Sequence, residues 1–243
     1  MDALIYTAMS GAERALRGQQ VHANNLANMD TPGFRANLEL ATATKLPGYG
    51  YDDRHMTQLQ ANAVTTRQGT LKATGRELDV SISGNGFFAV QGPTGEAYTR
   101  AGAITLDADG TMTVNGMPIL GEGGNPITLP PYRKIDIGQD GTISILGQGT
   151  TAEMQIIDKL KLVKAEASEL TKNESGLLVA RDGQPLQVDN TVQVRAGHLE
   201  GSNVSAIEEM VATMSLNRTF EIQMKLFKAS DDMTTAGNRL VSA

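Results

Sequence analysis

The chain has 243 residues, of which 40% are hydrophobic and 4% aromatic, with no tryptophan, no cysteine and a net charge of −6. Without cysteine there are no disulfides and no thiolate metal sites, and a negative balance argues against a nucleic-acid binder, whose affinity comes from basic patches meeting phosphates. No apolar run of about 18 residues could span a bilayer, and no basic start followed by an apolar stretch marks a signal peptide.

The chain opens on a helical pattern. From Ile5, the positions Met9, Ala12, Leu16, Gln19, Ala23 and Leu26 follow in steps of 4 and 3, the spacing of one helix face that wants a partner. Asp2 suits the positive end of such a helix, predicted over residues 3–28 and about 39 Å long. Thr31-Pro32-Gly33 ends it: Pro32 disfavours helix at the residue before it, and Gly33 frees the backbone to turn. In the junction Asn24, Asn25 and Asn28 are suited to bond helix ends and neighbouring backbones. Phe34, in a chain poor in aromatics, is read as an anchor in an apolar pocket. Residues 35–76, with Pro47-Gly48 and Tyr49, sustain no period and read as an extended connector.

From Leu78 the period becomes two. Leu78, Val80 and Ile82 alternate with Asp79, Ser81 and Ser83, the pattern of a half-buried strand. Comparable alternations stand at Ile135/Ile137, Ile143/Ile145, Leu160/Leu162 and Val192/Val194. Between them Asn85-Gly86, Asp109-Gly110, Asn115-Gly116, Asp140-Gly141 and Asp182-Gly183 are hairpin-closing dipeptides. Pro118, Pro126, Pro130 and Pro131 exclude a long central helix. The reading is an antiparallel β-domain over 77–200.

The last segment starts as a capping box, with Ser205 at the N-cap and Glu208 three residues on, preceded by Asn203. Ile222, Leu226, Ala229, Met233, Ala236 and Leu240 form one apolar stripe to about residue 240. Met210, Asn217, Phe220, Met224 and Phe227 form another, and Met214 adds to the apolar surface. Two apolar faces on one helix call for more than one neighbour.

Chemistry is weakly signalled. Asp107-Ala108-Asp109-Gly110 lacks the glycine and glutamate that a calcium loop needs at its sixth and twelfth positions. Gly84-Asn85-Gly86 leads into a strand rather than a helix, unlike a dinucleotide loop. His22, His55 and His198 are scattered, with no zincin spacing. There is no nucleophile elbow or phosphate loop, and the sequon-like Asn173, Asn203 and Asn217 read as chance. No catalytic residue, metal site or cofactor is predicted.

Four motifs occur in order. Residues 24–34 read Asn-Asn-Leu-Ala-Asn-Met-Asp-Thr-Pro-Gly-Phe; Leu78-Asp79-Val80-Ser81-Ile82 leads to Gly84-Asn85-Gly86-Phe87-Phe88-Ala89-Val90. Tyr98-Thr99-Arg100-Ala101-Gly102 follows, then Leu199-Glu200-Gly201-Ser202-Asn203-Val204 with Arg218-Thr219-Phe220-Glu221. Together they resemble the rod and hook axial proteins of the bacterial flagellum. Within that family Met1-Asp2-Ala3-Leu4-Ile5-Tyr6-Thr7-Ala8-Met9 and Leu160-Lys161-Leu162-Val163-Lys164-Ala165 are most similar to the proximal rod branch, with the distal rod as the alternative. Arg218-Thr219-Phe220-Glu221 and Met29-Asp30 depart mildly from the commoner forms.

The resemblance implies an α+β chain in which long N- and C-terminal helices (1–34 and 201–243) form a coiled-coil-like bundle, the inner tube. An extended connector (35–76) and a central antiparallel all-β outer domain (77–200) complete it. It implies a structural, non-enzymatic subunit of the basal-body rod, a periplasm-spanning shaft that transmits torque. Its partners would be other rod proteins, copies of itself and the flagellar type III export apparatus, with no nucleic acid and no direct membrane span. A self-associating secreted or adhesin-like β-protein is the reading from another class, though it would not carry the ordered motifs.

Overall fold

The computed structural model describes residues 2–45, 55–65, 67–148, 153–166, 168–173 and 175–241. The chain is α+β and divides into two units. Unit 1 joins residues 1–27, 37–62 and 205–243; unit 2 joins 28–36 and 63–204.

Unit 1 carries two helices. Helix α1 spans Asp2–Ala27 and α2 spans Ala206–Val241, 26 and 36 residues. Ser205 caps α2, its hydroxyl accepting from the Glu208 amide at 3.5 Å. Glu208 and Glu209 stand in the first turn and Arg239 in the last, each matching the helix dipole at its end. The two helices pack side by side. The segment expected as a connector is ordered where it is described: strands β1 (Asn37–Lys45) and β2 (His55–Val64) pair with each other. Period-two patterning is present but weak in both, with Leu38 and Leu40 flanking Glu39 in β1 and Leu59, Ala61 and Ala63 alternating with Gln58, Gln60 and Asn62 in β2, so the reading of this stretch as an aperiodic connector is corrected there. Pro47 to Tyr51 lie outside the described residues.

Unit 2 is built of short strands. In chain order they are β3 (Leu71–Ala73), β4 (Val80–Ser83), β5 (Phe87–Gly92), β6 (Gly95–Thr99), β7 (Ile104–Leu106), β8 (Met112–Val114) and β9 (Met117–Pro118). Then come β10 (Tyr132–Ile137), β11 (Thr142–Gly147), β12 (Gln155–Lys159), β13 (Leu162–Val163), β14 (Leu170–Lys172), β15 (Leu178–Ala180), β16 (Gln193–Ala196) and β17 (His198–Glu200). The largest sheet runs β13-β5-β6-β15-β14; β7-β8-β9 and β10-β11-β12 are three-stranded, while β4 pairs with β16 and β3 with β17. Every registered pairing in unit 2 is antiparallel.

The turn chemistry explains this meander. Between β8 and β9, Asn115 (φ 52°) and Gly116 (φ 78°) both take positive φ, the geometry of a tight hairpin that twists with its strands. Alternate apolar residues then face inward: Ile135, Ile137, Ile143 and Ile145 meet Val80, Ile82, Phe88, Val90, Ile104, Met112 and Leu160 in one core. A second cluster gathers Phe87, Ala89, Tyr98, Val163, Leu170 and Leu178. In β5 the residues Phe87 to Val90 are all buried, so both faces of that strand are covered. The same is true at β4, where the alternation suggested a half-exposed strand. Ser81 is buried and its hydroxyl donates to the Arg195 carbonyl, while buried Asp79 pairs with Arg76 at 3.2 Å.

Tyr98 ties the second cluster to a loop. Its phenol oxygen accepts from the Leu186 amide at 2.7 Å. Burial first, with the Leu186 bond opposing and Glu96 adding, holds the phenol far above its ordinary value of 10.0. A raised pKa means that Tyr98 contributes stability in full below about pH 10, and that this is lost as pH rises toward the folded value. Tyr98→Phe is expected to cost about 1–3 kcal/mol at neutral pH, because the Leu186 amide loses its acceptor. The gap between wild type and variant should narrow above pH 10, as followed by denaturant unfolding at stepped pH.

Candidate assembly site

In unit 1 the antiparallel course of the helices follows from their contacts: His22 meets Glu209, Gln19 meets Asn217, and Gly11 meets Gln223. The face of α1 that packs on α2 is a stripe of small residues, Ala8, Gly11, Ala15 and Gly18, which ends on His22 and Asn25. Ala8, Ala15 and Gly18 are buried. A Cβ on Gly11 would come 2.9 Å from Gln223. Glycine inside a helix costs about 1 kcal/mol relative to alanine, and here it admits a close neighbour.

The predicted apolar positions lie one residue round from that stripe, about 100° on a helix. Of these, Met9, Leu16 and Ala23 are exposed, whereas Ile5, Ala12 and Leu26 are half-buried. Gln19 donates to Asn217 at 2.5 Å.

Helix α2 shows the same offset. Its inward line includes Glu209, Thr213, Leu216, Phe220, Gln223, Ser230, Thr234 and Gly237, all at least half-buried. Two outer stripes flank it. Met210, Met214 and Met224 form one; Ile222, Leu226, Met233 and Leu240 form the other; all seven are exposed, Leu240 at 82%. Phe227 is also exposed. The helix pair therefore spends mainly small and polar residues on itself, with Leu216 and Phe220 among them, and leaves most of its large apolar side chains exposed.

A polar lock closes the pair at one end. His22 Nδ1 lies 2.5 Å from a Glu209 carboxylate oxygen, and Asn25 Nδ2 donates to the other at 3.3 Å. Asn25, buried, also grips the start of β1: it accepts from the Asn37 amide at 2.8 Å and donates to the Asn37 carbonyl at 3.1 Å. Asn24 accepts from the Asn37 side chain. The α1-end asparagines thus bond a neighbouring backbone or side chain, as their residue type suggests.

In unit 2 the residues around Gly33–Ala36 and Glu200–Asn203 meet. The Gly33 amide donates to the Glu200 carbonyl at 2.7 Å, the Asn203 amide to the Phe34 carbonyl at 3.3 Å, and the Ala36 amide to the Asn203 side chain at 2.8 Å. Asn28 turns the chain, accepting from the Thr31 amide and hydroxyl, with Pro32 exposed beside it. The Phe34 ring packs beneath Lys172, whose ammonium stands 3.9 Å from the ring centroid and donates to the Arg35 carbonyl. Burial lowers the Lys172 pKa to about 8.

Beneath this crossing lies a buried charge cluster. The Glu200 carboxylate sits 2.9 Å from Arg35 and 3.4 Å from Arg100, with all three side chains at most 3% exposed. The same carboxylate accepts from the Gly69 amide at 2.9 Å, and Arg35 donates to the Arg67 carbonyl. Burial pulls the Arg100 pKa down to about 10, with Glu200 pulling back and Arg35 adding to the fall. Arg35 is lowered by burial and supported by Glu200. Both guanidiniums stay charged at neutral pH, so one carboxylate holds two cations. Sequence reasoning did not find this cluster, because its members are far apart in the chain. The available signal was that each charge stands within or beside a separate motif.

Gly33 is the tightest point. It has φ +70°, and a Cβ there would stand 2.2 Å from the Ala101 amide nitrogen. Gly33→Ala is expected to cost roughly 3 kcal/mol or more in unit 2, from left-handed strain plus overpacking, as read by urea unfolding.

Among the described residues no group of three His, Cys, Asp or Glu side chains is placed to hold a metal ion. His22 serves the helix lock, and His198 bonds the Ala196 carbonyl in the other unit; the His55 side chain is outside the described set. No described helix is long and apolar enough to cross a membrane.

Three family models match. One described as flagella basal body rod protein covers residues 5–35, one described as flagellar hook protein FlgE/F/G D1 domain covers 81–145, and one described as flagellar basal body rod FlgEFG protein C-terminal covers 195–240. The chain is 40% identical over 250 residues to the flagellar basal-body rod protein FlgF of Escherichia coli (strain K12), which spans all of this chain and 99% of that protein. The chain belongs to the flagellar basal-body rod protein family. The FlgF of Salmonella typhimurium is 39% identical over the same extent, and the rod protein FlgG of Buchnera aphidicola subsp. Schizaphis graminum is 31% identical over 94% of the chain and 96% of its own length. In this rod protein the first matched stretch holds most of α1 and the limb ending at Arg35, and the last holds Glu200 and most of α2. The matched ends therefore carry both the outer stripes and two of the three clustered charges.

Proposed function

We propose that this rod protein is a structural, non-enzymatic subunit of the flagellar basal-body rod, in its proximal part, and that it joins its neighbours through the outer stripes of α1 and α2. The observation that carries this is the exposure of Met9, Leu16, Met210, Met214, Ile222, Met224, Leu226 and Met233 on helices whose inner faces are already occupied. Fully covering one large apolar side chain contributes about 1.5–3 kcal/mol, so several stripes bring enough to outweigh the freedom lost on joining. Two stripes on one helix allow contact with more than one neighbour, which is what a coiled-coil-like inner tube of a torque-bearing shaft requires. The β-rich unit then forms the outer layer.

The chain reaches its place in the periplasm through the flagellar type III export apparatus without a cleaved signal. Its partners are other rod proteins and copies of itself. The 40% and 39% identities to two FlgF proteins, against 31% to an FlgG, support the proximal assignment; a distal position is the second reading, favoured by the near-full-length similarity to FlgG.

Light scattering of the purified chain, alone and mixed with other rod components, tests the assembly reading. A monomer that joins only in the mixture is the expected result. A discrete self-limited oligomer would overturn it. Cryo-microscopy of intact basal bodies separates proximal from distal.

A further inference from the structure

The outer stripes contain five methionines: Met9 on α1 and Met210, Met214, Met224 and Met233 on α2, between 46% and 59% exposed. Met112, in the core of unit 2, is 0% exposed. In a chain without cysteine the thioether is the side chain that peroxides oxidise, and its sulfoxide is reduced back enzymatically.

We propose that these five thioethers are a reversible redox modification site, at which a hydroperoxide blocks joining of the free subunit. The proposal rests on the assembly reading above.

The step is balanced. A sulfur lone pair attacks one oxygen of hydrogen peroxide, the S–O bond forms and the O–O bond breaks. The departing hydroxide takes the proton of the transferred hydroxyl and leaves as water. Sulfur loses two electrons and the peroxide gains them. A dithiol-dependent sulfoxide reductase reverses the change, releasing water and a disulfide of the reductant.

The consequence follows from burial. A thioether is apolar and adapts its shape to irregular neighbours, whereas a sulfoxide oxygen is a strong acceptor that must give up water when covered. Ile222, Leu226 and Leu240 beside it carry no side-chain donor. Once joined, the stripe is shielded from peroxide, so the free subunit is the vulnerable form. Met112 is shielded by folding itself.

The test treats the purified full chain with dilute hydrogen peroxide under native conditions and maps added oxygen by peptide mass spectrometry. The five stripe methionines should oxidise and Met112 should not, with helical circular dichroism unchanged. Joining to other rod components should then need about tenfold higher concentration or more, and sulfoxide reductase should restore it. In the variant carrying Met9→Leu, Met210→Leu, Met214→Leu, Met224→Leu and Met233→Leu, the concentration needed for joining, whatever its untreated value, should not rise after peroxide, although exposed Met29 and Met154 still oxidise. Oxidised wild type that joins as well as untreated protein would overturn the switch and leave the assembly reading standing. Equal loss of joining in the leucine variant would overturn it too, because the responsible sulfur would lie elsewhere. The assembly reading fails separately, if Leu226→Asp and Met214→Asp both leave joining intact.

Discussion

Leu226→Asp is expected to abolish incorporation of this protein into rods while leaving its own fold unchanged, and Met214→Asp is expected to do the same from the other outer stripe. Both positions are exposed in the free chain. There an added carboxylate stays hydrated, and surface changes of this kind move stability by no more than about 0.5 kcal/mol. In an assembled tube the same carboxylate would be stripped of water against apolar neighbours at a cost of several kcal/mol, roughly a thousandfold in affinity. The two variants together check that both stripes are used. Motility in soft agar and recovery of the variant in purified basal bodies read the loss; thermal unfolding of the isolated chain reads the control. Rods that form normally with either aspartate would show that its stripe faces solvent in the assembly.

The second large effect is expected at Glu200. Glu200→Ala leaves Arg35 and Arg100 buried without their counter-charge and deprives the Gly69 amide of its acceptor. Removing one partner of a buried ion pair costs about 3–5 kcal/mol, because the remaining charge is stranded in a poor solvent. Against a total stability of about 5–15 kcal/mol that is a large fraction. With no tryptophan to report, far-ultraviolet circular dichroism in urea is the measurement. Glu200→Gln is expected to fall between, since the amide oxygen still accepts from Gly69 while the charge is lost. A change below about 1 kcal/mol in the alanine variant would mean that water reaches the two guanidiniums. The position also has a functional side: Glu200 and Asn203 on one limb hold Gly33 to Ala36 on the other. Loosening the crossing is therefore expected to reduce assembly more than overall helix content.

Both effects depend on features read differently in sequence and in space. The 3–4 spacing of Ile5, Met9, Ala12 and Leu16 identified α1, and that of Ile222, Leu226 and Met233 identified α2, because a helix repeats every 3.6 residues whatever it packs against. Asn-Gly and Asp-Gly pairs and alternating Ile and Val identified the β meander from 77 onward for an equally local reason. The ordered motifs identified the family. Ser205 and Thr31-Pro32-Gly33 placed the helix ends, because caps act within a few residues.

What escaped was non-local. Spacing alone ranks a face by how apolar it is, so it chose the large side chains. The tertiary contact instead chose the neighbouring small stripe, Ala8, Gly11, Ala15 and Gly18, because close helix approach favours little side-chain bulk. β1 and β2 escaped because their alternation rests on few large apolar residues, mostly Ala and Thr beside Leu38, Leu40 and Leu59, while each strand's backbone is satisfied by the other. Arg35, Arg100 and Glu200 carried no mark of burial in the local sequence pattern.

By itself, then, the sequence determined the two helices, the antiparallel β-domain, the turn positions and the kinship to rod proteins, all properties of local pattern. Only the tertiary structure decided which helix face is spent inside the chain and which is left exposed, and that one buried carboxylate pins two distant limbs. Those outcomes depend on which surfaces are brought within a few ångströms, and residues 165 positions apart meet only after the chain has folded.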